Sequence, residues 1–305
     1  MAANSVEILH DFSPLLKHYK DGRIERLLGD DVVPPSVDPK SGVQSKDVEI
    51  SPEINVSARL YLPKNPDRSK KLPLLVYFHG GGFIKESAFS SKYQKQLNNL
   101  VAEAKVVAVS VNYRLAPEHP LPIAFEDSWL ALEWIVSEST DEWIKDYADL
   151  DRVFFGGDSA GGNIAHNMAL RIGTQKLDGI NLYGIILNCP FFYGKDQIGN
   201  EGNYNDKLLP YVCPSMSDYD EPWINPAKDE KLSSLGCKKV LVYVAEKDFL
   251  KDRGYYYKEI LSKNGWNGDV ELVEIKGEDH CFNVLYPDSE NAIAILKKVA
   301  SFINA

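Results

Sequence analysis

One stretch limits the possible folds more than any other, Arg152 to His166. Val153, Phe154 and Phe155 are consecutive apolar residues, as in a strand covered on both faces, and they run directly into Gly156-Gly157-Asp158-Ser159-Ala160-Gly161-Gly162. Past the serine the apolar residues fall at Ala160, Ile164, Ala165, Met168 and Ala169, the spacing of one helix face. A buried strand must therefore become a helix at Ser159. A G-x-S-x-G turn that sharp leaves no room for side chains on either side of the serine, and it lifts the hydroxyl clear above the strand end. A glycine-rich turn with a serine helix cap has the same pattern. A nucleophilic role for Ser159 needs an acid and a base further along the chain.

The rest of the pattern alternates in the same way. Leu72–Phe78, Val106–Val111, Tyr183–Leu187 and Val240–Val244 are short, almost continuously apolar runs, and Val270–Ile275 alternates. Helical spacing fills 91–104 and 125–136, and another helix is expected from Asp252 to Lys263 with Asp252 as its cap. Val48 and Ile50, then Val56, Ala58, Leu60 and Leu62, predict two antiparallel strands. Phe12, Leu15, Leu16 and Tyr19 have helix-like spacing. Pro117, Pro120 and Pro122 make 112–122 a rigid, non-helical connection. The whole predicts one α/β domain over 1–305, a mostly parallel twisted sheet flanked by helices.

Composition removes several function classes. A net charge of −10 without a lysine-arginine block lacks the electrostatic footprint of a nucleic-acid binder. No apolar run approaches the length of a membrane span. Cys189, Cys213, Cys237 and Cys281 are far apart, with no C-x-x-C pair and no histidine cluster, so neither a metal site nor a disulfide framework is expected. Free thiols and a start without a basic, then apolar, leader give a cytoplasmic expectation. Nothing calls for a cofactor, and the number of subunits is left open.

In sheets of this kind the working groups stand at the carboxyl ends of strands. The strand 72–78 ends in His79-Gly80-Gly81-Gly82-Phe83, where missing Cβ atoms let backbone N–H groups turn toward a ligand oxygen. His79 is expected to hold that loop rather than act as a base, and His119 to be a structural hydrogen bonder. Asp248 follows the strand 240–244, and His280 follows 270–275. Acid and base thus both lie downstream of the serine, in the order Ser159, Asp248, His280. A serine hydroxyl needs an imidazole to take its proton and a carboxylate to hold that imidazole. Asp252 competes with Asp248 for the acid role from inside the expected helix. Asp279 reads as a turn carboxylate. Cys281 is a nucleophile in principle, but in an extended segment it points away from His280.

With these residues in place, the chain resembles the plant carboxylesterases of the hormone-sensitive-lipase group of α/β hydrolases. The likeness rests on Tyr19–Leu27, His79–Phe83, Tyr113–Pro122, Gly157–Asn163, Pro222–Pro226, Asp248 and His280. It implies a serine carboxylester hydrolase of plant specialised metabolism acting on a small-molecule ester. Ser159, Asp248 and His280 would be the catalytic triad, and Gly80, Gly81 and Gly82 would join Ala160 as oxyanion donors. It also implies a cap from residues 1 to about 40 and about 192 to 226. Pro210, in Leu208–Pro214, departs from the relatives' aromatic-rich cap helix and would shorten it. Cys281-Phe282-Asn283 stands where many relatives have a second histidine. Two other functions share the resemblance. The gibberellin receptors are similar binding proteins with the histidine replaced and the glycine loop altered. The 2-hydroxyisoflavanone dehydratases and certain alkaloid-pathway relatives run eliminations or cyclisations on such a site.

Overall fold

The computed structural model describes residues 7–29, 31–201 and 207–305. In chain order the elements are β1 (Ile8–Phe12), β2 (Leu16–Tyr19), β3 (Ile24–Arg26), β4 (Gln44–Ser51), β5 (Val56–Leu62), β6 (Leu72–Phe78), α1 (Ser91–Ala104), β7 (Val107–Asn112), α2 (Ile123–Val136), α3 (Glu142–Tyr147) and β8 (Ala148–Asp158). They continue with α4 (Ala160–Gln175), β9 (Leu182–Asn188), α5 (Leu208–Val212), β10 (Lys239–Ala245), α6 (Lys251–Lys263), β11 (Asp269–Ile275), α7 (Phe282–Leu285) and α8 (Glu290–Asn304).

Eight strands form one sheet in the order β11-β10-β9-β8-β6-β7-β5-β4. Neighbours from β11 to β7 run parallel, while β5 pairs antiparallel with both β7 and β4. The apolar runs β6 and β7 lie inside this sheet, which is why they lack alternation: Leu74, Val76 and Phe78 enter one core, with α2, α4 and α6, and Leu75 and Tyr77 the other, with α1 and α8. β8 crosses the centre and delivers Ser159 at its carboxyl end.

The N-terminal region differs from its helix-like pattern. Phe12, Leu15, Leu16 and Tyr19 lie on β1, a tight turn and β2, in a separate three-stranded antiparallel sheet β1-β2-β3. Leu16 is fully buried, whereas Ile8 and Leu9 on β1 are exposed. Apolar spacing over so short a stretch fits either element, and strand pairing to β3 decides it. Pro210 does sit in a short helix. α5 has five residues, with Pro210 in its first turn, where the missing N–H is not needed.

Candidate active site

The turn after β8 gives the site its shape. Ser159 has φ 51° and ψ −116°, a backbone that an L-residue holds only when its surroundings impose it. Gly161 permits the turn, because a Cβ there would lie 1.9 Å from the Phe78 carbonyl oxygen. The Ser159 N–H donates to the Asn188 carbonyl at 2.9 Å, and the carbonyl of Ser159 accepts from Phe191 at 2.9 Å. Held from both sides, the hydroxyl points across the ends of the strands.

His280, in the loop after β11, places Nε2 3.0 Å from Ser159 Oγ. Its Nδ1 lies 2.9 Å from Asp248 Oδ2, in the loop after β10. A carboxylate can only accept, so Nδ1 carries the hydrogen and Nε2 faces the serine with its lone pair. Asp248 is buried, and its other oxygen accepts the Leu250 N–H at 2.9 Å. Burial pulls the pKa of His280 down. The hydrogen bond to Asp248 and the nearby Cys189 outweigh that effect and raise it above the ordinary histidine value.

Asp252 is not at the imidazole, nor does it cap α6. Leu250 occupies the cap position, and the Asp252 carboxylate, in the first turn, accepts the Asn200 N–H at 3.2 Å. Asp279 accepts the N–H of His280 at 2.7 Å, a turn role as its position suggested.

The glycine loop stands beside the serine. Gly81 and Gly82, both with positive φ, line a cavity of about 260 Å³ with Ser159 and His280. At Gly81, with φ 105°, a Cβ would lie 2.2 Å from the Lys85 carbonyl oxygen, so the loop admits no side chain there. Among the described residues neither Gly81 nor Gly82 donates a backbone hydrogen bond, and Ala160 opens α4, where the first N–H groups have no partner within the helix. Gly80 differs from the expectation that it donates to an oxyanion. Its N–H is given to Tyr93 Oη at 2.8 Å, and Tyr93 in turn donates to Asp158 Oδ2 at 2.9 Å. The N–H groups of Gly81, Gly82 and Ala160 thus stay unengaged beside Ser159 among the described residues.

The loop's anchors are buried. Asp158 accepts a second hydroxyl, Tyr77 Oη, at 2.9 Å. Tyr113 donates to the His79 carbonyl at 2.6 Å and stacks on the His79 ring with centroids 4.2 Å apart. His79 Nδ1 is 2.8 Å from the Gly80 carbonyl, so Nδ1 bears the proton. Burial lowers the pKa of His79 to about 4, and the ring is a neutral strut of the loop. Arg26, on β3, donates to the carbonyls of Ile84 and Ala116 and forks onto Glu118 at 2.7 and 2.9 Å, tying the small sheet to this region. Sequence reading missed Tyr93, Asp158 and Arg26. Only Asp158 had a signal, its place inside the G-D-S-A-G turn.

Leu15, Phe191, Leu208, Phe249, Val284 and Leu285 give the cavity an apolar wall, and the ion-paired Lys85, Glu86 and Lys92 line another part of it. Leu15 comes from the β1–β2 turn and Leu208 from α5. These two regions touch through Tyr211, whose ring is 4.6 Å from that of Phe12 and whose hydroxyl is 3.1 Å from His18 Nδ1.

Cys281 departs from the extended geometry expected of it. With φ 53° it turns back, and its Sγ, the Sγ of Cys189 and a ring nitrogen of His280 all lie within 4.8 Å of one another. Ninety-odd positions between the cysteines hide this cluster from any spacing rule.

Several known proteins are similar to this chain. A family model described as the alpha/beta hydrolase fold matches residues 75–284. A 2-hydroxyisoflavanone dehydratase of Glycyrrhiza echinata is 45% identical, over 98% of this chain and 97% of that protein. Probable carboxylesterase 2 of Arabidopsis thaliana is 44% identical, over 100% and 99%. Among solved structures, an esterase of Pyrobaculum calidifontis superposes with a TM-score of 0.70 at 27% identity, covering 85% of this chain and 84% of its own. Among the described residues no helix is long and apolar enough to cross a membrane.

Proposed function

The chain belongs to the α/β-hydrolase family, and from that premise we propose that it is a serine carboxylester hydrolase that cleaves small or medium-sized organic esters through an acyl-serine intermediate. One observation carries the reading: the unbroken relay from Ser159 Oγ through His280 to Asp248, with bonds of 3.0 and 2.9 Å.

The chemistry follows from that geometry. His280 Nε2 takes the hydroxyl proton as Ser159 Oγ attacks the ester carbonyl, and Asp248 stabilises the imidazolium that forms. The carbonyl oxygen, now negative, is met by the N–H groups of Gly81, Gly82 and Ala160. His280 then protonates the departing alcohol. A water, deprotonated by the same nitrogen, releases the acid and restores Ser159. The apolar walls suit a substrate with a hydrophobic acyl or alcohol part, and the size of the cavity favours a small molecule. Residues 1 to about 40 and 192 to 226 act in this reading as a cap, supported by the meeting of Phe12, His18 and Tyr211 over the cavity side of Leu15 and Leu208. The parts of those segments at 1–6, 30 and 202–206 lie outside the described residues. The four free thiols suit a cytoplasmic enzyme, and a role in plant specialised metabolism agrees with the kind of relatives it has.

The likeness to a dehydratase favours a second reading, elimination at the same site. There the histidine removes a proton next to a carbonyl and the loop holds the enolate, with no need of a nucleophile. Ser159→Ala separates the two. Hydrolysis of a short-chain aryl ester should fall by about 10⁶ in kcat. Retention of more than a few per cent of the rate by a folded variant would reject the hydrolase mechanism, and water loss from a β-hydroxy ketone that survives this change but not His280→Ala would establish the lyase.

A further inference from the structure

We propose that Cys189, Cys281 and His280 form a binding site for a thiophilic divalent cation of the zinc or cadmium class, and that filling it silences Ser159 by drawing the imidazole out of its relay. The silencing half rests on the hydrolase reading above, and the binding half does not.

The donor set is the first argument. Two thiols and an imidazole are the ligands such cations select, and two thiolates neutralise the charge of a divalent ion. The second is distance. Three donors no more than 4.8 Å apart surround a point at most about 2.8 Å from each, against 2.3 Å for a Zn–S bond and 2.0–2.1 Å for Zn–N. Each donor has about half an ångström to close, within the reach of small side-chain rotations. The third is backbone. Cys189, after β9, and Cys281, before α7, have φ of 43° and 53°, a conformation L-residues adopt only where the fold imposes it, and both turn their thiols to the same histidine.

Access agrees. Cys281 and His280 line the open cavity, so an ion enters from the substrate side, and Cys189 closes the site from behind. Binding exchanges two thiol protons for one cation. Both ring nitrogens of His280 are already in use, Nε2 toward Ser159 and Nδ1 toward Asp248. Whichever nitrogen takes the metal, one link of the relay is lost.

The test is titration of the purified full-length chain with cadmium chloride in a thiol-free buffer, following the ultraviolet thiolate-to-cadmium charge-transfer band and ester hydrolysis together. Band and inhibition should saturate at one equivalent and reverse with a chelator. Cys189→Ser should raise the cadmium concentration needed for both by about tenfold or more. Cys237→Ser, a buried thiol elsewhere, should change neither. His280→Ala should weaken the band to a similar degree, a readout that stands even if no ester is turned over, so failure of the hydrolase reading is distinguishable from failure of the site. Equal cadmium affinity in the native chain and in Cys189→Ser or His280→Ala would overturn the proposal. So would a saturated band with hydrolysis untouched.

Discussion

Tyr93→Phe removes one oxygen atom and no carbon, yet the structure makes it a severe change. Tyr93 is buried on α1, and its hydroxyl does two things: it accepts the Gly80 N–H at 2.8 Å and donates to Asp158 Oδ2 at 2.9 Å. Phenylalanine leaves a buried N–H without an acceptor and a buried carboxylate with one donor fewer. At about 1–3 kcal/mol for the first and 1.5–3 kcal/mol for the second, the expected loss of stability is about 3–5 kcal/mol. It should depend on pH. Burial raises the pKa of Asp158, opposed by the two tyrosine hydroxyls. A carboxyl whose folded pKa is raised is favoured in its protonated form, so keeping it ionised costs stability as pH rises from the unfolded value through the folded one. Losing Tyr93 raises that pKa further, and the deficit of the variant should be larger at pH 8 than near pH 4.5. Denaturant unfolding at both pH values measures this. Because Gly80 leads into Gly81 and Gly82, a shifted loop should also lower kcat by about tenfold to a hundredfold, with a smaller effect on KM. A variant within about 0.5 kcal/mol of the native chain at both pH values, with unchanged kcat, would refute the idea that Tyr93 anchors the loop.

The pH profile tests the relay. His280 must be neutral to accept the serine proton, and its pKa is raised by Asp248 and Cys189 against burial, so the acid limb of kcat/KM should lie above pH ~6.5. Asp248→Asn should move that limb to lower pH and cut kcat by about 10⁴; a limb that stays in place would detach Asp248 from the imidazole. Arg253 and Glu201 form a buried ion pair, with Arg253 also donating to the Asp196 carbonyl at 2.7 Å, so Arg253→Met should cost about 3–5 kcal/mol and Glu201→Gln in the same chain should return part of it. No recovery in the double variant would mean that the loss came from packing alone. Tyr211→Ala should alter relative rates across a series of esters of increasing acyl length while leaving Ser159 open to an organophosphate, and an unchanged series would put α5 outside the substrate's reach.

The sheet was legible because buried parallel strands must be continuously apolar. Leu72–Phe78 and Val240–Val244 are short, bounded apolar runs of strand length rather than helix length. Ser159, Asp248 and His280 were legible for a different reason: each follows such a strand, and loops at carboxyl ends of strands converge in space however far apart they lie in sequence. What stayed hidden was contact at a distance without a pattern. Tyr93 sits on an ordinary helix face, and nothing near it in sequence points to Gly80. Gly80 itself looks like Gly81, and only the position of a hydroxyl on another element separates their roles. The β1–β2 hairpin departs from its helix-like pattern because four apolar residues in eight fit more than one periodicity. Cys281 faces His280 because its backbone after the histidine is left-handed and not extended, a turn that no residue type nearby announces.

Acylation of Ser159 is the step on which the hydrolase mechanism depends. Rapid-quench mass spectrometry of the enzyme with a slowly hydrolysed aryl ester should find the acyl mass on the peptide containing Ser159 within the first turnover, at close to one equivalent, and none in Ser159→Ala. Ester turnover with no adduct at Ser159, or an adduct on Cys281 in its place, would contradict it.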